Sequence, residues 1–125
     1  MGRYAWKKLN AKNGKQVMMI LAYRRCKANL KSGPHTAYMQ QVKQLMKKGM
    51  VAPNPRKEVL SDLKRMIEEH HSLGGGIVLM MDANEDWESE VNGEFAEFLF
   101  EISLEDIHKM KQQGTPTMTY ARGTK

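Results

Sequence analysis

The sequence predicts a small α/β domain, one sheet with covering helices, and three observations carry that expectation. Residues 16–23 (Gln-Val-Met-Met-Ile-Leu-Ala-Tyr) and 77–81 (Ile-Val-Leu-Met-Met) are nearly unbroken apolar runs of strand length. Two helical patterns lie between them, the crossover needed to bring two strands parallel or near neighbours. Asn13-Gly14 precedes the first run and readily takes the positive φ values of a type I′ turn, which predicts an antiparallel hairpin with residues 3–9. At 125 residues, 41% hydrophobic and 27% charged, the chain has the composition of one globular unit and is too apolar for a disordered tail.

Each element has its own signal. Residues 3–9 (Arg-Tyr-Ala-Trp-Lys-Lys-Leu) alternate loosely, with Tyr4 and Trp6 on one side. The strand at 16–23 has no polar face and is expected in the centre of the sheet. Arg24 to Ser32 is polar and reads as a surface loop. Gly33-Pro34 opens a helix, because proline's fixed φ and missing N–H suit a first turn. Its stripe is Tyr38, Val42, Leu45 and Met46, and Gly49 ends it. Asn54-Pro55 caps the second helix, with Val59, Leu60, Leu63, Met66 and Ile67 as its buried stripe and Lys64–Glu68 as an outward i,i+4 ion pair.

Gly74-Gly75-Gly76 turn the chain back after His70-His71, and the run at 77–81 is of the kind buried on both faces of a sheet. Asn92-Gly93 precedes a third helix with Phe95, Phe98, Leu99 and Ile102 inward, followed by Leu104 and Ile107 as a short buried piece. Thr115–Tyr120 is a last strand candidate.

The net charge of +6 hides a split. Residues 1–70 carry sixteen basic and four acidic side chains, net +12, and residues 71–125 carry four and ten, net −6. A polyanion-binding face beside an acidic site fits these numbers, and so do two surfaces that attract one another. Cys26 is the only cysteine, so no intrachain disulfide forms, and four scattered histidines argue against structural zinc. The longest apolar run is far too short to span a bilayer, and the segment after Met1 is too charged for a signal peptide. A nuclear or cytoplasmic protein without a membrane partner is expected.

Polar side chains just past the carboxyl end of a buried strand occupy the place where open α/β sheets hold ligands. Asp82 and Asn84 are two residues apart, so an extended backbone would point both the same way. One offers a charged acceptor; the other offers an amide able to donate to phosphate or align water. Asp-x-Asn also ends strands simply because those residues make turns.

Four segments belong together: Leu21-Ala22-Tyr23-Arg24; the helix Pro55–Glu69 leading to Ile-Val-Leu-Met-Met-Asp-Ala-Asn; Leu104-Glu105-Asp106-Ile107; and Thr117-Met118-Thr119-Tyr120. In that order they resemble the strand-to-tyrosine segment, “hydrophobics-G-D-F-N”, “G-L-x-D” and “P-T-F/W-T” of the endonuclease/exonuclease/phosphatase family, which includes DNase I, the apurinic endonucleases and inositol-phosphate phosphatases. Their order and separations support one another from Gly2 to Thr124, and the nearest version is the endonuclease region of non-LTR retroelements. Met81 stands for the usual Gly and Ala83 for the usual aromatic, and neither carries the family's reactive groups.

The resemblance implies a partial DNase I-like α/β sandwich, incomplete at both ends, over residues 1–125. It implies hydrolysis of a phosphodiester or phosphomonoester, with Mg2+ or Mn2+ bridging carboxylates and phosphate. Asp82 would orient or deprotonate the attacking water. Asn84 would hold that water or a phosphate oxygen. Tyr23 would donate to the phosphate or leaving oxygen, or simply close the core as a strand-end aromatic. The family's earlier Asn and metal-binding Glu, and its later “R-I-D-Y” strand and Asp-His pair, have no match here. Metal binding and catalysis by this chain alone are therefore expected to be weak or absent, and a bare sheet face is expected to favour self-association.

Arg24, Arg25, Lys27 and Lys31 would neutralise a DNA or RNA backbone, or form a solvated face. Asp106 fits a capping or loop role, and His35, His70, His71 and His108 match no reactive position. Trp87 would stack on a base or sit at the core edge. A non-catalytic remnant binding nucleic acid or protein is the second reading, and an unrelated small α/β domain the third.

Overall fold

The computed structural model describes residues 3–26, 33–85, 93–105, 107 and 111. The hairpin forms as its alternation predicts. β1 (Tyr4–Asn10) pairs antiparallel with β2 (Gln16–Tyr23), from Tyr4 opposite Ala22 to Asn10 opposite Gln16. Asn13 and Gly14 take φ of 78° and 71°, the two positive values the turn chemistry predicts. The loop is nevertheless longer than a two-residue type I′ turn: Lys12–Gly14 form a 3-10 turn, closed by Ala11 N–H donating to the Lys15 carbonyl at 2.8 Å.

β3 (Gly76–Asp82) pairs parallel with β2, Val17 opposite Gly76 and Tyr23 opposite Asp82, so the order is β1-β2-β3. Between β2 and β3 lie α1 (Ala37–Lys47) and α2 (Pro55–Ser72), and α3 (Glu94–Glu101) follows β3. The two intervening helices return the chain to the far side of β2, as the crossover argument predicts.

One face of the sheet makes the core. Met18, Ile20 and Ala22 are buried with Val59, Leu60, Leu63 and Ile67 of α2, Phe95 and Phe98 of α3, and Ile102. Ile77, Leu79 and Met81 pack partly against them. The predicted stripes of α2 and α3 are thus the faces that meet in the core, α2 against the sheet and α3 against α2. Asn54 Oδ1 accepts from Arg56 N–H (3.0 Å) and Lys57 N–H (3.3 Å), the cap its position ahead of Pro55 predicts. Lys64 reaches Glu68 at 3.9 Å and Glu101 of α3 at 2.9 Å, so its stronger partner lies across the helix pair.

Several expectations need correction. Gly33-Pro34 form a turn, and α1 begins later, with Thr36 as N-cap accepting from Met39 N–H at 3.3 Å. α1 packs mainly on α2, which leaves Met46 exposed and Tyr38, Val42 and Leu45 half-buried; the fully buried residue is Gln41. β3 is not buried on both faces. Among the described residues it is a sheet edge, and Val78 and Met80 face water while Ile77, Leu79 and Met81 face the helices. On that same open face Leu21 is 61% exposed and Tyr23 also reaches solvent. Ile107 is exposed rather than buried, while Leu104 does pack on the core. The strand candidate 115–120 lies outside the described residues.

α2 also runs past Glu69 to include both histidines. Its end is a Schellman motif: Gly75 N–H donates to His70 O (3.2 Å) and Gly74 N–H to His71 O (2.9 Å), with Gly74 at φ 77°. Gly75 is required for a different reason. A Cβ there would fall on the ring of His70, which is buried and whose two ring nitrogens have no hydrogen-bond partner among the described residues. Gly75→Ala is therefore expected to destabilise by about 1–3 kcal/mol through overpacking. In a thermal-melt double-mutant cycle, His70→Ala should relieve most of that loss, and additive effects would show that the ring is not the obstacle.

Candidate functional site

The carboxyl ends of β2 and β3 share one edge of the sheet, because parallel pairing sends both chains the same way. Tyr23 and Asp82 are register partners there, with both side chains on the open, solvent-facing side. The ladder continues one step beyond, since Arg24 N–H donates to the Asp82 carbonyl at 2.8 Å.

Asn84 arrives by another route than its spacing suggests. Its φ of 49° takes the backbone out of the extended region after Asp82, so the two side chains are not carried by one straight strand. Its Nδ2 donates to the Arg24 carbonyl at 2.7 Å, and its Oδ1 accepts from Cys26 Sγ at 3.1 Å. The amide thus ties the β3 exit to the β2 exit, beside Tyr23. Among the described residues, one N–H and further lone-pair capacity remain in its inventory for a ligand or water.

Beneath this edge is a buried ionic cluster. Arg24 and Glu85 are only 1% and 2% exposed and bond directly. Glu85 Oε2 also accepts from Arg56 Nη2 at 2.8 Å, and Glu85 Oε1 takes the Phe95 N–H at 3.4 Å. Arg24 extends Nη2 to Glu94 (2.8 Å) and Nε to the Arg56 carbonyl (3.2 Å), and Arg56 Nη1 donates to the Arg25 carbonyl. Four elements meet in this cluster: the ends of β2 and β3, the first turn of α2 and the start of α3. Burial pushes the Glu85 carboxyl up, but the Arg24 bond and charge, the Phe95 N–H and the Arg56 charge outweigh it and hold it below the ordinary value.

The basic residues after Tyr23 are placed differently from a surface loop. Arg24 is a core residue whose guanidinium is enclosed by carboxylates and a carbonyl. With its amide oxygen turned toward Arg25, buried Gln41 accepts from Nε (2.7 Å) and Nη2 (3.2 Å), which anchors α1 to the β2 exit. Lys27 and Lys31, like Trp87, Asp106 and His108, lie outside the described residues.

Glu85, Glu94 and Arg56 escaped sequence reasoning. Nothing in the sequence Asp82–Trp87 separates the inward Glu85 from the exposed Asp82, and a polar loop gives no hint that its first Arg turns inside. Among the described residues no three His, Cys, Asp or Glu side chains stand close enough to hold a metal ion, and no helix is long and apolar enough to cross a membrane. Compared with protein families, curated proteins and solved structures, the chain matches none.

Proposed function

We propose that the chain is the middle-to-late part of a DNase I-like phosphodiesterase domain that acts on nucleic acid, DNA or RNA. The observation that carries this reading is the register of Tyr23 with Asp82 at a shared carboxyl edge, with the Asn84 amide held against the neighbouring Arg24 carbonyl. An acceptor carboxylate, a phenolic donor and an amide at one strand edge are the parts needed to orient water against a phosphate. Asp82 takes the proton of the attacking water, Tyr23 donates to a phosphate oxygen, and the remaining Asn84 N–H donates to the phosphate or the water.

The bare apolar face of β2 and β3 supports the sandwich reading, because a second sheet packed there would bury Leu21, Val78 and Met80. Taken alone, that face favours self-association. The described residues do not fit a Mg2+ site by themselves: Asp82 is a single carboxylate, and Glu85 is committed to two guanidiniums. The Mg2+ or Mn2+ of this reading is held by groups outside them.

Residues 1–125 are therefore expected to show no efficient turnover in plasmid-nicking and abasic-oligonucleotide assays with Mg2+ or Mn2+. Expressed together with the flanking sequence of its gene, the chain should cleave in a metal-dependent way, and Asp82→Ala should abolish cleavage. Cleavage that survives Asp82→Ala, or none from the extended chain, would remove the reading. Asp82-dependent turnover by 1–125 alone would show that the visible groups suffice.

A further inference from the structure

Among the described residues, Arg24 and Arg25 are engaged inside the fold, and solvent-facing cations lie elsewhere. Glu58 is the first acidic residue in the chain, so the β1–β2 hairpin carries Lys7, Lys8, Lys12 and Lys15 with no carboxylate of its own. All four are exposed. Arg3 is the exception, turned inward to donate to the Pro55 carbonyl.

Along one side of β1 stand Trp6, Lys8 and Asn10, every second residue of the strand. Trp6 is 52% exposed, although its register partner Ile20 is fully buried. Lys8 Nζ lies 6.0 Å from the Trp6 ring centroid, which sets a cation beside the indole. Asn10 Oδ1 is bridged by Gln16 Nε2 at 3.4 Å, so an amide pair closes the row at the turn end. Lysines alone would be explained as charges that keep an edge strand from pairing with another chain. A half-exposed tryptophan serves no such purpose, and it adds apolar surface where protection calls for less.

We propose that this hairpin is a binding surface for single-stranded nucleic acid, with Trp6 as the base-stacking platform, Lys8 beside it and Lys12 and Lys15 at the turn as its phosphate contacts. An aromatic face beside lysines recognises a polyanion whose bases are free to stack, and a paired duplex hides those faces. The row from Trp6 to Asn10 runs about 14 Å along β1. Its Trp6 end points toward the edge that holds Tyr23 and Asp82, because Tyr4 pairs with Ala22 and Trp6 with Ile20. The inference rests on the reading above for the presence of a nucleic-acid partner, and it adds a surface and a strandedness that reading lacks.

The test is fluorescence anisotropy of a short labelled oligothymidylate with residues 1–125, Trp6→Ala, Trp6→Phe and Lys8→Gln/Lys12→Gln/Lys15→Gln, each confirmed folded by circular dichroism. Trp6→Ala should weaken binding about tenfold or more, the size of one lost stacking contact, and Trp6→Phe should restore most of it. The triple lysine variant should flatten the slope of log affinity against log salt by about 0.7 for each phosphate contact removed. Trp6→Ala binding within twofold of the wild type would overturn the proposal, as would equal affinity for duplex of the same length. Tighter binding to phosphatidylserine vesicles than to oligothymidylate would also overturn it, by assigning the hairpin to a membrane surface. Trp6-dependent binding together with a failure of Asp82-dependent cleavage in the extended chain would leave this surface standing and remove only the catalytic reading.

Discussion

Glu85→Gln is expected to destabilise the folded chain by about 3–5 kcal/mol at neutral pH, because it removes the charge that compensates two buried guanidiniums. Arg24 and Arg56 both direct an Nη to Glu85, and neither is exposed enough for water to replace it. Glutamine keeps the size and can still accept one hydrogen bond, so the loss reads the charge and not a cavity. Against a domain stability of about 5–15 kcal/mol this is a large fraction, and urea denaturation at neutral pH measures it.

The same residue sets an acid response. Its carboxyl is held below the ordinary 4.5, so its unfolded-state pKa is the higher of the two. A group depressed in the folded state stabilises above its unfolded value, and that contribution is lost as pH falls through its folded value. The stability gap between wild type and Glu85→Gln should therefore be full near neutrality and shrink below about pH 4.5. A gap that stayed constant into acid would show that Glu85 exerts its effect through shape alone.

The parts of the fold that were legible in the sequence are those with a local cause. Asn13-Gly14 announces a turn, Asn54-Pro55 announces a helix start, and the spacing of Val59, Leu63 and Ile67 announces the face that meets the sheet. Two apolar runs separated by two helices imply strands that run the same way, and that alone puts Tyr23 and Asp82 at one edge. What was illegible depends on contacts between distant segments. Arg24, Arg56, Glu85 and Glu94 come from four elements, and each looks like an ordinary surface residue among its neighbours. Asn84 was legible as a residue that matters but not as a clasp, because its positive φ and its bond to Arg24 arise only when the two strand ends meet. β3 misled in the opposite sense. Its unbroken apolar run reads as buried on both faces, yet one face is open to water among the described residues.

That open face yields the other large effect. Leu21 (61% exposed) and Met80 (45%) are register partners, and Tyr23 and Val78 flank them on the same face, two residues along β2 and β3. Burying such a side chain is worth about 1.5–3 kcal/mol, so the two together contribute up to about 3–6 kcal/mol toward association. Leu21→Lys/Met80→Lys should weaken self-association of residues 1–125 about a hundredfold or more, read by sedimentation velocity over a concentration series. Because both side chains already face solvent, the melting temperature should move little, which separates this effect from unfolding. Leu63→Ala, inside the core and fully buried, should do the reverse: it should destabilise by about 2–5 kcal/mol and leave the association surface intact. If the double lysine variant associates as strongly as the wild type, the open face is not the contact. If instead the extended chain is monomeric with wild-type Leu21 and Met80, while residues 1–125 associate through them, then the flanking sequence covers this face in the whole protein, as a second sheet would.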